Sequence, residues 1–189
     1  MTGKTHQVIG ITSGLTYYLI SATPSYNPAT FGAVLAFSFL GSLLPDIDTG
    51  AGEIWHYIPF GHTANKIVDP FLKHRNITHS FLGAILIGIG MYFLLRTFPE
   101  YWGINTMIVY ICFMLGYLSH IFADMFTVDG VPLLFPFHYS FGIPPHPFQG
   151  IRIVTGKWFE NLVIFPLVNI WLIIIIILYW TNIKAILFK

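Results

Sequence analysis

Charged side chains are the scarcest class in this sequence: nine Lys and Arg with eight Asp and Glu make up 9% of 189 residues, against about 25% in an ordinary soluble domain. So few charges cannot cover a water-facing surface. They also exclude a nucleic-acid binder, which needs Lys and Arg clustered on a polar face, and the formal net charge is only +1. Cysteine is nearly lacking. Cys112, the single one, lies in an apolar stretch, which excludes an intramolecular disulfide and a thiolate zinc site and leaves a small packing residue.

What is present is hydrophobicity, 55% of the residues, in blocks close to the ~20 residues that cross a bilayer. Five stretches without Asp, Glu, Lys or Arg run from about 8 to 22, 29 to 45, 80 to 95, 104 to 123 and 162 to 180. Each is read as a spanning helix. The expected fold is an all-α integral membrane helical bundle of about five transmembrane helices, one domain over residues 1–189. The first and third stretches are short for a hydrocarbon layer of about 30 Å. Lys4 ahead of the first block and Ser21-Ala22-Thr23-Pro24 behind it also fit a secretory signal. Thr12, Ser13, Gly14 and Thr16 inside the block argue instead for a retained helix.

The connections differ in character. Pro24 to Pro28 and Phe98 to Gly103 read as plain turns, whereas the segments 46 to 79 and 124 to 161 hold seven of the eight acidic residues and six of the eight histidines. Counting crossings places both long loops on the face where the chain starts. His6, Asp46, Asp48, His74, His79, His120 and Asp124 therefore meet at one level, delivered by four helix ends. Lys4, Lys66, Lys73, Arg75, Arg152 and Lys157 share that face, against Arg96, Lys184 and Lys189 opposite, and the excess of positive residues makes it cytoplasmic.

Carboxylates at membrane depth are costly unless paired or metal-bound. Asp46 and Asp48 fall where an apolar helix ends at Pro45, and the alternative for them is a solvated turn. A calcium-binding EF-hand loop starting at Asp46 would need an acid where Tyr57 stands. His74 and His79 bracket Arg75, which either clamps a phosphate with its planar fork or meets lipid headgroups. His120 and Asp124 stand one helical turn apart on one face, as metal ligands or as a carboxylate orienting an imidazole. Imidazole and carboxylate without thiolate suit zinc, with manganese or iron as alternatives. The ligands exceed the four of one tetrahedral site, so two divalent ions are expected, able to activate water toward a phosphoryl group. The second loop, rich in Pro, Phe and Gly, is read as an ordered interfacial lid. In it His138 and His146 are read as surface or packing residues, and Glu160 either caps the last helix or adds a carboxylate to the site.

An early His, Leu-Pro-Asp-Ile-Asp, His-Arg-x-x-Thr-His-Ser and Gly-Tyr-x-Ser-His-x-x-x-Asp-x-x-Thr-x-x-Gly together resemble the YdjM-like family of membrane-bound metal-dependent hydrolases, over His6 to Glu160. The matching positions are His6, Asp46, Asp48, His74, Arg75, Thr78, His79, Ser80, His120, Asp124, Thr127 and Gly130, with Asn76 where the family commonly has glycine. A more distant similarity joins these scattered ligands to zinc-dependent phospholipases. The resemblance implies metal-dependent hydrolysis. In this reading His6, Asp46, Asp48, His79, His120 and Asp124 bind metal, and His74 joins or supports them. Arg75 binds phosphate, and Thr78 and Ser80 orient ligands. The expected partners are membrane lipids and a lipid or lipid-linked phosphoester substrate, at the inner (cytoplasmic) membrane. The competing classes are a noncatalytic membrane module with structural metal and a transporter. The helix centres offer little beyond Thr, Ser and Asn169, which disfavours a polar path across the bilayer.

Overall fold

A computed structural model describes residues 1–21, 27–48, 54–57, 77–99, 102–137 and 139–188. Its helices are α1 (Gly3–Ser21), α2 (Pro28–Leu43), α3 (Ile54–Tyr57), α4 (Phe81–Leu95), α5 (Thr106–Met125), α6 (Phe165–Leu178) and α7 (Trp180–Leu187). The five apolar stretches coincide with α1, α2, α4, α5 and α6, and α7 is an addition that sequence patterning did not announce. Helix starts follow local chemistry. Asn27 accepts from the Ala29 N–H at 2.7 Å with Pro28 opening α2, Ser80 accepts from Gly83 N–H at 3.1 Å at α4, and Asn105 accepts from Ile108 N–H at 3.1 Å at α5, each meeting an otherwise orphaned donor.

Three helical segments, Pro28–Asp48, Thr106–Met125 and Glu160–Leu178, are long and apolar enough to cross a membrane, and Phe81–Leu95 is a shorter apolar helix. The outer faces are hydrocarbon. Ile85, Leu86, Ile89 and Phe93 of α4 and Ile170, Ile173, Ile174 and Ile177 of α6 are exposed, as a lipid-facing surface requires. Helix α1 is more polar than these spans, and the reason is its position: it packs against both α2 and α5, burying Thr5, His6 and Thr12 in the bundle.

Small residues set these distances. A Cβ on Gly10 would strike Ser42, one on Gly14 would strike Ser38, and one on Gly116 would strike the Ser38 carbonyl. Apolar side chains gain little by turning from lipid to protein, so close backbone approach between such residues is what holds membrane helices together. At the chain-start end, α2 tightens into a 3-10 turn over Leu44–Asp48 around Pro45, which has no N–H to extend the α-helical ladder. The second long loop is ordered by main-chain bonds. Val131 and Phe141 exchange hydrogen bonds of 2.8 and 2.7 Å, Ile153 N–H donates to the Phe126 carbonyl at 2.9 Å, and Phe81 N–H donates to the Leu133 carbonyl at 3.0 Å. Arg152, buried within the loop, donates from Nε to the Pro144 carbonyl at 2.8 Å; it holds the loop together rather than adding free positive charge to the face.

Candidate metal centre

Four elements converge at the end of the bundle where the chain begins. The first turns of α1 carry His6, the 3-10 turn after α2 carries Asp46 and Asp48, the 3-10 turn Ile77–His79 ahead of α4 carries His79, and the last turns of α5 carry His120 and Asp124. His6, His79, His120, Asp48 and Asp124 are buried, while the Asp46 side chain keeps 17% of its surface exposed. Asp46 Oδ1 lies 3.6 Å from both His79 Nε2 and His120 Nε2. Asp124 Oδ2 lies 3.9 Å from His79 Nε2 and 4.0 Å from His120 Nε2. Asp124 Oδ1 is 3.2 Å from His6 Nε2 and also receives the Met1 amine.

The close approach of α5 to α2 decides which nitrogen of His120 is available. Nδ1 stands 2.6 Å from the Ser42 main-chain oxygen. A carbonyl only accepts, so Nδ1 carries the proton and the neutral ring keeps its lone pair on Nε2. That Nε2 is buried without a hydrogen-bond partner among the described residues, as is Nδ1 of His6, whose Nε2 faces Asp124 Oδ1 at 3.2 Å. Orphaned buried acceptors of this kind are uncommon and call for an explanation such as an ion. The four atoms His79 Nε2, His120 Nε2, Asp46 Oδ1 and Asp124 Oδ2 are separated along four edges by 3.6–4.0 Å. One ligand atom each of Asp46, His79 and His120 lie within 4.8 Å of one another, as do one each of His6, His120 and Asp124, and ligand bonds of about 2.0–2.2 Å ask for edges of about 3.3–3.6 Å, so either group closes on a cation once its side chains draw together. The donor set fits a divalent metal.

Asp48 sits on the other side of His79. Its Oδ2 is 3.9 Å from His79 Nδ1 and accepts a 2.6 Å hydrogen bond from Thr78 Oγ1. Thr78 Oγ1 in turn lies 3.3 Å from His79 Nδ1, so the hydroxyl, backed by the Asp48 carboxylate, stands behind the ring, where outer partners fix the orientation of a metal-binding imidazole. Tyr117 OH donates to the Thr78 carbonyl and so steadies the same turn. Burial, reinforced by the neighbouring His120 imidazole, pushes the His79 imidazole down to about 3, so at neutral pH it presents an uncharged nitrogen.

Two other residues expected at the site lie beside the cluster rather than in it. Ser80 caps α4 and donates to the Ile77 carbonyl at 2.6 Å. The Glu160 carboxylate is taken up by the Thr2 N–H, the Thr2 and Thr5 hydroxyls and the Gly156 N–H, each at 2.7 Å, tying the π-helical turn Glu160–Ile164 to the start of α1. His146 is exposed and lies in neither of the two groups whose ligand atoms approach within 4.8 Å, His6–His120–Asp124 and Asp46–His79–His120. His74, Arg75 and His138 lie outside the described residues. The Ser42 carbonyl and the Thr2 and Thr5 contacts to Glu160 were missed in the sequence. The first has no side-chain signature, and the others need the fold to bring residue 160 to the chain start.

With this geometry in view, the model of the family described as YdjM inner membrane protein matches residues 1–184. The chain belongs to that family. Among relatives, a Bacillus subtilis (strain 168) protein described as uncharacterized protein YvsG is 31% identical over 166 residues, 87% of this chain and 88% of its own. The inner membrane protein YdjM of Escherichia coli (strain K12) is 32% identical over 148 residues, 76% of this chain and 70% of its own. No solved structure matches. Family membership and the apolar helices make this a membrane protein.

Proposed function

We propose that the chain is a membrane-embedded, metal-dependent hydrolase that cleaves a phosphoester in a lipid or lipid-linked substrate at the cytoplasmic surface. The observation that carries the reading is His120: Nδ1 is committed to the Ser42 carbonyl, and Nε2 is buried and unpartnered within reach of Asp46 and Asp124. Asp46, His79, His120 and Asp124 would hold the metal, zinc first, with Asp48 and Thr78 orienting His79. A divalent ion there supplies Lewis acidity toward water and phosphoryl oxygens. Asp46, the one partly exposed member, marks the side from which water and a headgroup would reach the cluster.

An apolar crevice of about 300 Å³ between α1, α5 and α6, bordered by Met1, Ser13, Phe122, Ala123 and Trp171, supports a lipid substrate. Met1 borders the crevice and its amine meets Asp124, so an acyl or isoprenoid chain in the crevice would lie beside the cluster. Lys4 and Lys157 at that end support the cytoplasmic orientation. The deep burial of five of the six clustered residues favours a second reading, a metal that staples helix ends without catalysis.

Metal analysis of the purified full chain, followed by hydrolysis assays on phospholipid vesicles and generic phosphodiesters, separates the two readings. Bound metal with turnover lost in His120→Ala and Asp124→Ala is the expected result. Bound metal without turnover on any phosphoester supports the staple, and absence of metal sinks both.

A further inference from the structure

Arg152 is buried, and holding the second long loop together uses only part of its guanidinium. Nε donates to the Pro144 carbonyl at 2.8 Å and Nη1 to the Val128 carbonyl at 3.4 Å, which engages two of the five N–H groups that the side chain carries. No bond among the described residues uses Nη2. Gly142 lies so close that a Cβ on it would stand 2.3 Å from Arg152 Cζ, so the loop fixes the guanidinium in place. Arg152 and the exposed Lys157 together line a cavity of about 360 Å³, whose other walls include Ile151, Val154, Trp158 and Phe159. The Arg152 charge is thus directed into one cavity instead of being spread over the face.

Neither cation is neutralised by the protein. Among the described residues no carboxylate pairs with Arg152 or Lys157, and Glu160, the acid nearest them in the chain, is committed to Thr2, Thr5 and Gly156. A buried guanidinium without a counter-ion is costly, and its planar fork matches the oxygens of a phosphate. The rest of the cavity is apolar. Ile151, Val154, Trp158 and Phe159 are exposed and stand directly ahead of the Glu160–Leu178 span, at the depth where aromatic side chains meet lipid headgroups. A soluble anion would leave those walls facing water, whereas a phospholipid covers them with its chains while its phosphate meets the two cations. We propose that this cavity binds an anionic phospholipid, with the headgroup phosphodiester on Arg152 and Lys157 and the acyl chains along Val154, Trp158 and Phe159. Two cations facing one phosphodiester favour a lipid of net negative charge over a zwitterionic one. None of the walls belongs to the His and Asp cluster or to the crevice beside α1, so the site is separate from both and stands without the metal reading.

Native mass spectrometry of the full chain in detergent, titrated with phosphatidylglycerol or phosphatidylcholine, tests this without any activity assay, with helicity and bound metal measured on the same samples. Wild type should hold one phosphatidylglycerol about tenfold more tightly than phosphatidylcholine. Lys157→Gln, a surface change, should weaken phosphatidylglycerol roughly fivefold, the share of one interfacial cation. Arg152→Lys should weaken it about tenfold by losing the planar fork, and neither variant should change the metal content. Millimolar inorganic phosphate should leave the lipid bound. Equal affinity of the wild type for the two lipids overturns the proposal, as does a folded Lys157→Gln or Arg152→Lys protein that keeps the full preference. If Arg152→Lys loses helicity, Lys157→Gln alone decides. Displacement of the lipid by millimolar phosphate assigns the cavity to a soluble anion and overturns the lipid occupant.

Discussion

Ser42 and His120 meet at 2.6 Å, main-chain oxygen to Nδ1, where α5 lies against the end of α2. One helical turn before His120 stands Gly116, whose missing side chain lets α5 lie on the Ser38 carbonyl and the Ser42 nitrogen. The helix contact and the tautomer of a candidate ligand are therefore a single structural fact. Gly116→Val should push the helices apart, lower the thermal midpoint in detergent by a cost of about 1–3 kcal/mol typical of overpacking, and reduce bound metal. Unchanged metal content in a destabilised but folded Gly116→Val protein would separate the two.

Thr78 Oγ1 donates to Asp48 and also stands 3.3 Å from His79 Nδ1. Thr78→Val should lower metal affinity by roughly 10–100-fold, the usual effect of removing an outer partner, with little change in helicity, and Thr78→Ser should restore it. Competition with a chromophoric chelator measures both. Equal affinity in all three proteins would show that Asp48 does not act through Thr78.

Glu160 is a clamp in this geometry, accepting four hydrogen bonds at 2.7 Å. Glu160→Gln replaces one accepting oxygen with a donor that faces a donor, so a loss of about 1–3 kcal/mol is expected. Thermal unfolding should register it while bound metal is retained. Complete loss of metal with an intact fold would mean that Glu160 is itself a ligand.

The crevice beside Asp124 makes a prediction about substrate length. Ser13→Phe fills it from α1 and should reduce hydrolysis of long-chain lipid by roughly tenfold, the scale of a few displaced methylene contacts, while sparing a short-chain soluble phosphoester. Parallel assays on the two substrates read this directly, and an equal fall on both would point to damage at the metal cluster instead.

Much of this was legible from hydropathy and parity. The apolar blocks located α1, α2, α4, α5 and α6, because a segment in hydrocarbon must satisfy its own main chain and so becomes a helix. Alternating direction then placed His6, Asp46, His79, His120 and Asp124 at one end. The polar face of α1 was harder to read. Its Thr and Gly residues weaken the hydropathy signal, although Gly10 and Gly14 at a four-residue spacing are the pattern of a packed membrane helix. Helix α7 was not legible either: Ile183 and Ile186 become buried against the bundle core, a property of the partner surface rather than of an eight-residue segment.

Composition and periodicity alone settle that this chain lives in a bilayer as helices and which of its ends carries the imidazoles and carboxylates, since both follow from local free energies of transfer and from counting. Which nitrogen of His120 is bare, that Asp48 stands behind His79, and that Glu160 ties the start of α1 instead of joining the cluster were decided only by the packed fold. Those facts depend on angstrom-scale distances between residues far apart in the chain, and no linear pattern encodes how closely two glycine-lined helices approach.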